Sequence, residues 1–277
     1  MATLSDWARP LLFRLVGRAG RASAQRLRRL PVLGPALHRV SHRLSPPGVR
    51  AWMEIRAGAG RGLWLRLDPR YDAKYWRGDV EPLVQKRLTE LLQPGAVFWD
   101  VGASLGFFTL IASRIVGPSG RVVAFEPDAA MAALLREHVV RNDVRNAAIH
   151  EVAAWSSAGQ LSFGRAGIPG HIHGRVGGVD ATTSVDAVTL DAFEDERPPD
   201  VIKIDVEGAE EEVLRGAHGI LGRARPDVVC EIHLERHHET SSLGRAERVK
   251  ALLEELGYEL EELHGGGGVF HVVAVAA

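Results

Sequence analysis

The side chains best able to do chemistry fall into two groups along the 277-residue chain. The first opens with Asp100-Val101-Gly102-Ala103-Ser104-Leu105-Gly106, an acid followed by a glycine loop. Glycines at 102 and 106 let the backbone turn tightly and approach a ligand closely, and a helix starting near Leu105 would offer its free N–H groups. Glu126 lies 24 residues beyond Gly102, an offset at which a carboxylate accepts hydrogen bonds from the hydroxyls of an adenosine ribose. A plain turn and a plain helix cap form the bland alternative. The second group is Lys203, Asp205, Glu207, Glu231 and His233. A carboxylate or histidine within hydrogen-bond reach of an alcohol can take its proton as a general base. A lysine in an apolar strand needs an ionic partner, so Lys203 should pair with Asp205 or Glu231.

These residues need elements to hold them. "VFWDV", "RVVAFEP", "AAIHEVAAW", "DVIKIDV" and "PDVVCEIH" are short apolar runs of the kind that buried parallel strands give. Between them, Phe107, Leu110, Ile111 and Ile115 fall at helical spacing, as do Met131, Leu134, Leu135 and Val139. A third helix carries Val213, Ala217, Ile220 and Leu221 on one face, and a fourth carries Val249, Leu252, Leu253 and Leu256. "YELEELHGGGGVFHVVAVA" reads as an antiparallel pair. The alternation predicts an α/β fold, a doubly wound, mostly parallel Rossmann-like sheet with an antiparallel C-terminal edge. Such sheets bind ligands beyond the carboxyl ends of their strands, where both groups of residues lie. Asp205 and Glu207 would share one face if their strand runs that far. The alternative is a structural charge network with Glu207 capping the next helix. His233 is a candidate base, against a merely satisfied histidine.

The ligand follows partly by elimination. A dinucleotide fingerprint needs glycine at position 104 to admit a pyrophosphate, and Ser104 stands there. There is no Walker lysine. Asp100 points to a cationic moiety, and S-adenosylmethionine combines adenosine with a cationic amino-acid tail. An NAD-type oxidoreductase and a catalytically idle binding module are the competing readings.

The blocks "FWDVGASLGFFTLIASRIVGPSGRVVAFEPD", "AAWSSAGQLSF", "VTLDAF", "DVIKIDVEGAEEEVLRGA" and "PDVVCEIH" resemble the FkbM family of class I methyltransferases, and "YWRGDVEP" resembles its lead-in segment. The resemblance implies methyl transfer from S-adenosylmethionine to a hydroxyl oxygen of a sugar, glycolipid or polyketide-type product. The expected cofactor set is Asp100, Gly102, Ala103, Ser104, Gly106, Glu126, Pro127 and Ala153, and the expected catalytic set is Asp205, Glu207 and His233. The family usually has Asn at the position of Ser104, an exchange expected to alter one loop contact and leave binding intact. Trp155 and Ser156 replace its usual small polar and acidic residues near the adenine, which leaves those contacts open.

The remaining chain sets boundaries. Composition is that of a globular protein, with 45% hydrophobic and 25% charged residues and a mean hydropathy of −0.05. No apolar run approaches the roughly 20 residues of a spanning helix. The one cysteine, Cys230, excludes an internal disulfide and fits a reducing cytoplasm. Residues 1–50 hold ten arginines against the single acid Asp6, while the rest of the chain is acidic. Arg14 and Arg18 break the apolar stretch that a secretory signal would need. Residues 1–48 therefore read as a basic helical extension that packs on the domain, docks on an anionic membrane surface or serves as a transit peptide. Residues 49–95 read as a strand pair with a lead-in helix, and 96–277 as the methyltransferase domain. The Gly-rich stretch 156–181 reads as a long lid or specificity loop. Its His171 and His173 lack neighbouring acids or thiols, so no metal is expected. A small-molecule or glycan acceptor is the expected partner. Nucleic acid is not, because Trp7 and Phe13 sit in no recognisable module. The oligomeric state stays open.

Overall fold

The computed structural model describes residues 49–68, 71–165, 174–176, 183–193, 197–233, 239–263 and 269–276. The basic extension, His171, His173, His237 and His238 lie outside the described residues. In chain order the elements are β1 (Ala51–Glu54), β2 (Trp64–Leu67), α1 (Ala73–Arg77), α2 (Pro82–Leu91), β3 (Val97–Val101) and α3 (Phe107–Val116). There follow β4 (Arg121–Phe125), α4 (Ala129–Arg141), β5 (Ala147–His150), β6 (Ala153–Ala154), β7 (Gly159–Arg165), β8 (Gly174–Val176) and β9 (Thr183–Val188). The last are β10 (Val201–Ile204), α5 (Glu210–Gly216), α6 (His218–Ala224), β11 (Asp227–His233), α7 (Glu239–Glu255), β12 (Tyr258–Leu263) and β13 (Val269–Ala276).

Seven strands form the main sheet in the order β12-β13-β11-β10-β3-β4-β5. β11, β10, β3, β4 and β5 run parallel, and β13 joins β11 antiparallel. The doubly wound sheet with an antiparallel C-terminal edge is thus the observed fold. Its centre is β3, buried at all five positions because helices cover both faces. Alternation divides its side chains. Phe98 joins one core with Leu110, Ile111 and Leu134, while Trp99 joins the other with Val213, Leu221 and Leu253. Each fully buried side chain of this size stabilises the fold by about 1.5–3 kcal/mol. Leu65 from β2 and Leu88 from α2 enter the first core, and β2 packs against α1 and α4.

Three expectations need correction. "AAIHEVAAW" is not one strand, because β5 closes the main sheet and β6 pairs with β9 in a second sheet of order β6-β9-β7-β8. Within 156–181 the described residues hold the strands β7 and β8. β7 pairs antiparallel with both β8 and β9, and the chain alternates Leu161 and Phe163 with polar or glycine positions there. The helix after β10 is two short helices separated at Ala217, whose φ of −110° departs from helical geometry.

Candidate functional site

The glycine loop is built by hydrogen bonds to the neighbouring strand. The N–H groups of Gly102 and Ala103 both donate to the carbonyl of Phe125, at 2.9 and 3.0 Å, which ties the end of β3 to the end of β4. Gly102 has φ of +82°, and a methyl group there would fall on the carbonyl oxygen of Asp205. Glycine is required at this position by both conformation and space. Gly106 at φ +85° opens α3, where a Cβ would run into the Leu135 side chain. Gly106 is the one expected cofactor residue outside the cleft lining, although its neighbours Leu105 and Phe107 line it.

Glu126 reaches back across the loop. One carboxylate oxygen accepts from the Ser104 N–H at 2.7 Å and the other from the Asp128 N–H at 2.8 Å. Burial raises its pKa to about 7, against the lowering effect of these two N–H groups. Each oxygen keeps a further lone pair for a ligand hydroxyl. Asp100 is buried, and its Oδ2 accepts from the Thr109 hydroxyl at 2.5 Å. Its Oδ1 and the Ser104 hydroxyl are buried without a hydrogen-bond partner among the described residues.

These residues open onto one cleft of about 1010 Å³ counting its open mouth. Asp100, Gly102, Ala103, Ser104, Glu126, Pro127 and Ala153 line it, and so do Asp205 and Glu207. Six carboxylates and two lysines face the cleft, a balance that suits a cationic ligand rather than a pyrophosphate. Sequence reasoning missed the wall made by Lys74, Tyr75 and Glu81, together with Phe107 and Phe108. The signal for that wall was the lead-in block "YWRGDVEP". Glu81, Ser104 and Glu207 carry positive φ values of 39°, 50° and 54°, so backbone strain gathers at the cleft.

At the other end of the cleft β10 stops at Ile204, and Asp205 and Glu207 sit on the turn beyond it rather than along one strand face. Lys203 is 1% exposed and pairs with Asp205, Nζ to Oδ2 2.9 Å. Burial works against its charge, but Asp205, Glu81, Asp100 and Glu231 hold the ammonium charged. The expected partnership is present. Glu207 does not cap the next helix, whose N-cap is Ala209 with no side-chain cap.

His233 ends β11 beside this turn, outside the cleft lining, with Nε2 3.3 Å from Glu207 and 3.9 Å from Asp205. Its Nδ1 is 3.1 Å from the fully buried Glu210. Burial opposes a proton on the ring, yet the Glu210 hydrogen bond and the charges of Asp205 and Glu207 raise its pKa to about 9. Glu231 turns to His271 on β13 at 3.2 Å, and Glu81 approaches the same ring at 3.5 Å. Two groups with metal-ligand spacing result, Asp205-Glu207-His233 and Glu81-Glu231-His271, although the sequence offered no ligand spacing. Among the described residues no helix is long and apolar enough to cross a membrane.

Comparison with known proteins places this geometry in a family. The chain is 28% identical to the hexuronic acid methyltransferase AglP of Haloferax volcanii over 199 residues, 67% of this chain and 80% of that protein. The solved methyltransferase FkbM from Methylobacillus flagellatus superposes with a TM-score of 0.48 at 17% identity, over 68% of this chain and 50% of its own, so the match spans half of that protein. TYW2 of M. jannaschii, solved with AdoMet, gives a TM-score of 0.44 at 17% identity over 82% of this chain and 84% of its own. The sequence pattern of the Methyltransferase FkbM domain matches residues 100–260, from the acid that opens the glycine loop to the first residues of β12. A match over more than half of the chain makes this protein a member of the FkbM methyltransferase family.

Proposed function

We propose that this methyltransferase moves the methyl group of S-adenosylmethionine to a hydroxyl of a sugar or a related hydroxylated product such as a glycolipid or polyketide-type compound. The observation that carries the reading is one cleft joining an adenosine-type cradle to a proton-accepting cluster. When bound, the cofactor supplies an electrophilic methyl group on a sulfonium sulfur. The buried, unpartnered Oδ1 of Asp100 and hydroxyl of Ser104 fit the polar and cationic parts of such a molecule. Glu126 would take the ribose hydroxyls, with Gly102, Ala103, Pro127 and Ala153 shaping the wall.

The acceptor belongs at the Asp205 and Glu207 end. Lys203 holds the Asp205 carboxylate in place, and His233 stands behind Glu207. A hydroxyl held by these carboxylates is aligned for in-line attack, and alignment accounts for much of the acceleration in such displacements. Loss of its proton to the cluster completes the transfer. A sugar acceptor draws support from the hexuronic acid methyltransferase relative.

The test is transfer of a labelled methyl group to a panel of sugars, hexuronic acids and glycolipids, with the product position read by NMR. Label on a hydroxyl oxygen supports the proposal; label on nitrogen, carbon or a carboxylate contradicts it. Glu207→Gln should cut turnover at least tenfold with cofactor affinity nearly intact.

A further inference from the structure

The ring of His233 stands among several carboxylates. Its Nε2 has Glu207 at 3.3 Å, Glu231 at 3.5 Å and Asp205 at 3.9 Å. The donor atoms of Asp205, Glu207 and His233 all lie within 4.8 Å of one another. Neighbouring ligands of an octahedral ion with bonds of ~2.1 Å are about 3.0 Å apart, so the three would draw in to share one ion.

The support behind the ring is the second observation. The Glu210 carboxylate is fully buried, and its Oε1 accepts from the Gly208 N–H at 2.8 Å and lies 3.1 Å from His233 Nδ1. Held at Nδ1 by a fixed carboxylate, the ring would offer Nε2 to an ion that displaces its proton, the arrangement that orients metal-ligating histidines and raises their basicity. The Asp205 carboxylate is divided in the same sense, with Oδ2 held by Lys203 and Oδ1 the oxygen nearest Nε2. Asp205 and Glu207 line the cleft, so an ion between them would keep coordination positions open to an acceptor.

We propose that Asp205, Glu207 and His233 bind a divalent cation, with Glu210 as the positioning residue that orients His233. Two carboxylates and one imidazole, completed by water, form a donor set for Mn²⁺ or a similar borderline-hard ion. The inference rests on the methyltransferase reading and deepens it. An acceptor hydroxyl on the ion would lose its proton more readily, and the carboxylates beside it would take that proton. The oxygen then forms its new bond to the methyl carbon as the carbon–sulfur bond breaks, leaving the neutral thioether.

Mn²⁺ alone is the probe, titrated into the full chain and read by electron paramagnetic resonance as loss of the free-ion signal. The expected result is one saturable site with micromolar-range affinity, weakened at least tenfold by Glu207→Gln or His233→Gln. Glu210→Gln should weaken it by roughly 10- to 100-fold through the histidine alone. Cofactor binding is measured on every variant as the check on folding. Because wild-type binding is read directly, a variant that misfolds does not decide the matter. Failure of the wild type to bind Mn²⁺, Mg²⁺ or Zn²⁺ below millimolar concentration, with cofactor binding intact, overturns the metal site and leaves the methyltransferase reading standing. Binding that survives both ligand substitutions puts the ion elsewhere, at Glu81-Glu231-His271 for example, and also overturns it.

Discussion

Lys203 Nζ lies 2.9 Å from Asp205 Oδ2, a contact between residues two apart that forms because β10 ends at Ile204 and the chain turns. The ammonium is also 4.6 Å from the centre of the Phe108 ring, at the heart of the sheet. Removing one partner of a buried pair strands the other charge. Lys203→Met should therefore destabilise the protein by about 3–5 kcal/mol in urea unfolding. A loss below about 1 kcal/mol would mean that the surrounding acids take up protons at little cost.

His138 makes the fold sensitive to acid. Its Nδ1 is 2.7 Å from the Leu105 carbonyl, and its Nε2 accepts from the Arg66 N–H at 2.7 Å. Both contacts need the neutral ring with its proton on Nδ1. Burial lowers the pKa to about 4 from the ordinary 6.5. The unfolded chain takes up the proton first, so stability is full above pH 6.5 and falls as pH drops toward 4, by up to about 3 kcal/mol. His138→Gln should remove most of that slope in denaturation measured between pH 4 and 7.

Glu126 acts with the opposite sign. Its pKa of about 7 lies above the ordinary 4.5, so the folded apo protein holds a proton that the unfolded chain has lost, and stability falls as pH rises through this window. Ribose hydroxyls donate to the ionised carboxylate. Affinity for S-adenosylmethionine should rise up to about tenfold between pH 6 and 8, and Glu126→Gln should bind weakly with a flat profile. A wild-type profile that is flat would separate Glu126 from the cofactor.

The loop glycines should part company under substitution. Gly102→Ala pushes Asp205 and deforms the cleft, so cofactor binding should fall by more than the loss of stability explains. Gly106→Ala strikes Leu135 away from the cleft, so its defect should track folding and be recovered under stabilising conditions. Thermal unfolding and cofactor titration on the same samples distinguish the two.

Much of this architecture was legible because parallel strands buried on both faces leave continuous apolar runs. Val97–Val101 carries Asp100 and leads into Gly102, the acid and glycine that the fold then uses. The second sheet was hidden, since Gly159 and Gly164 lower strand propensity where Leu161 and Phe163 keep the alternation. The His233 cluster was only half visible. Asp205 and Glu207 follow the end of β10 and His233 ends the adjacent β11, as the topology rule anticipates, whereas Glu210 turns back from a helix and His271 arrives on an antiparallel strand. Such meetings are set by tertiary register, and local pattern does not encode them.

Calorimetric titration of the purified chain with S-adenosylmethionine, its demethylated product and NAD tests the central claim most directly. Saturable micromolar-range binding of the first two, weakened by Glu126→Gln and absent for NAD, is the predicted result. Binding of NAD, or of none of the three by a folded protein, would contradict it.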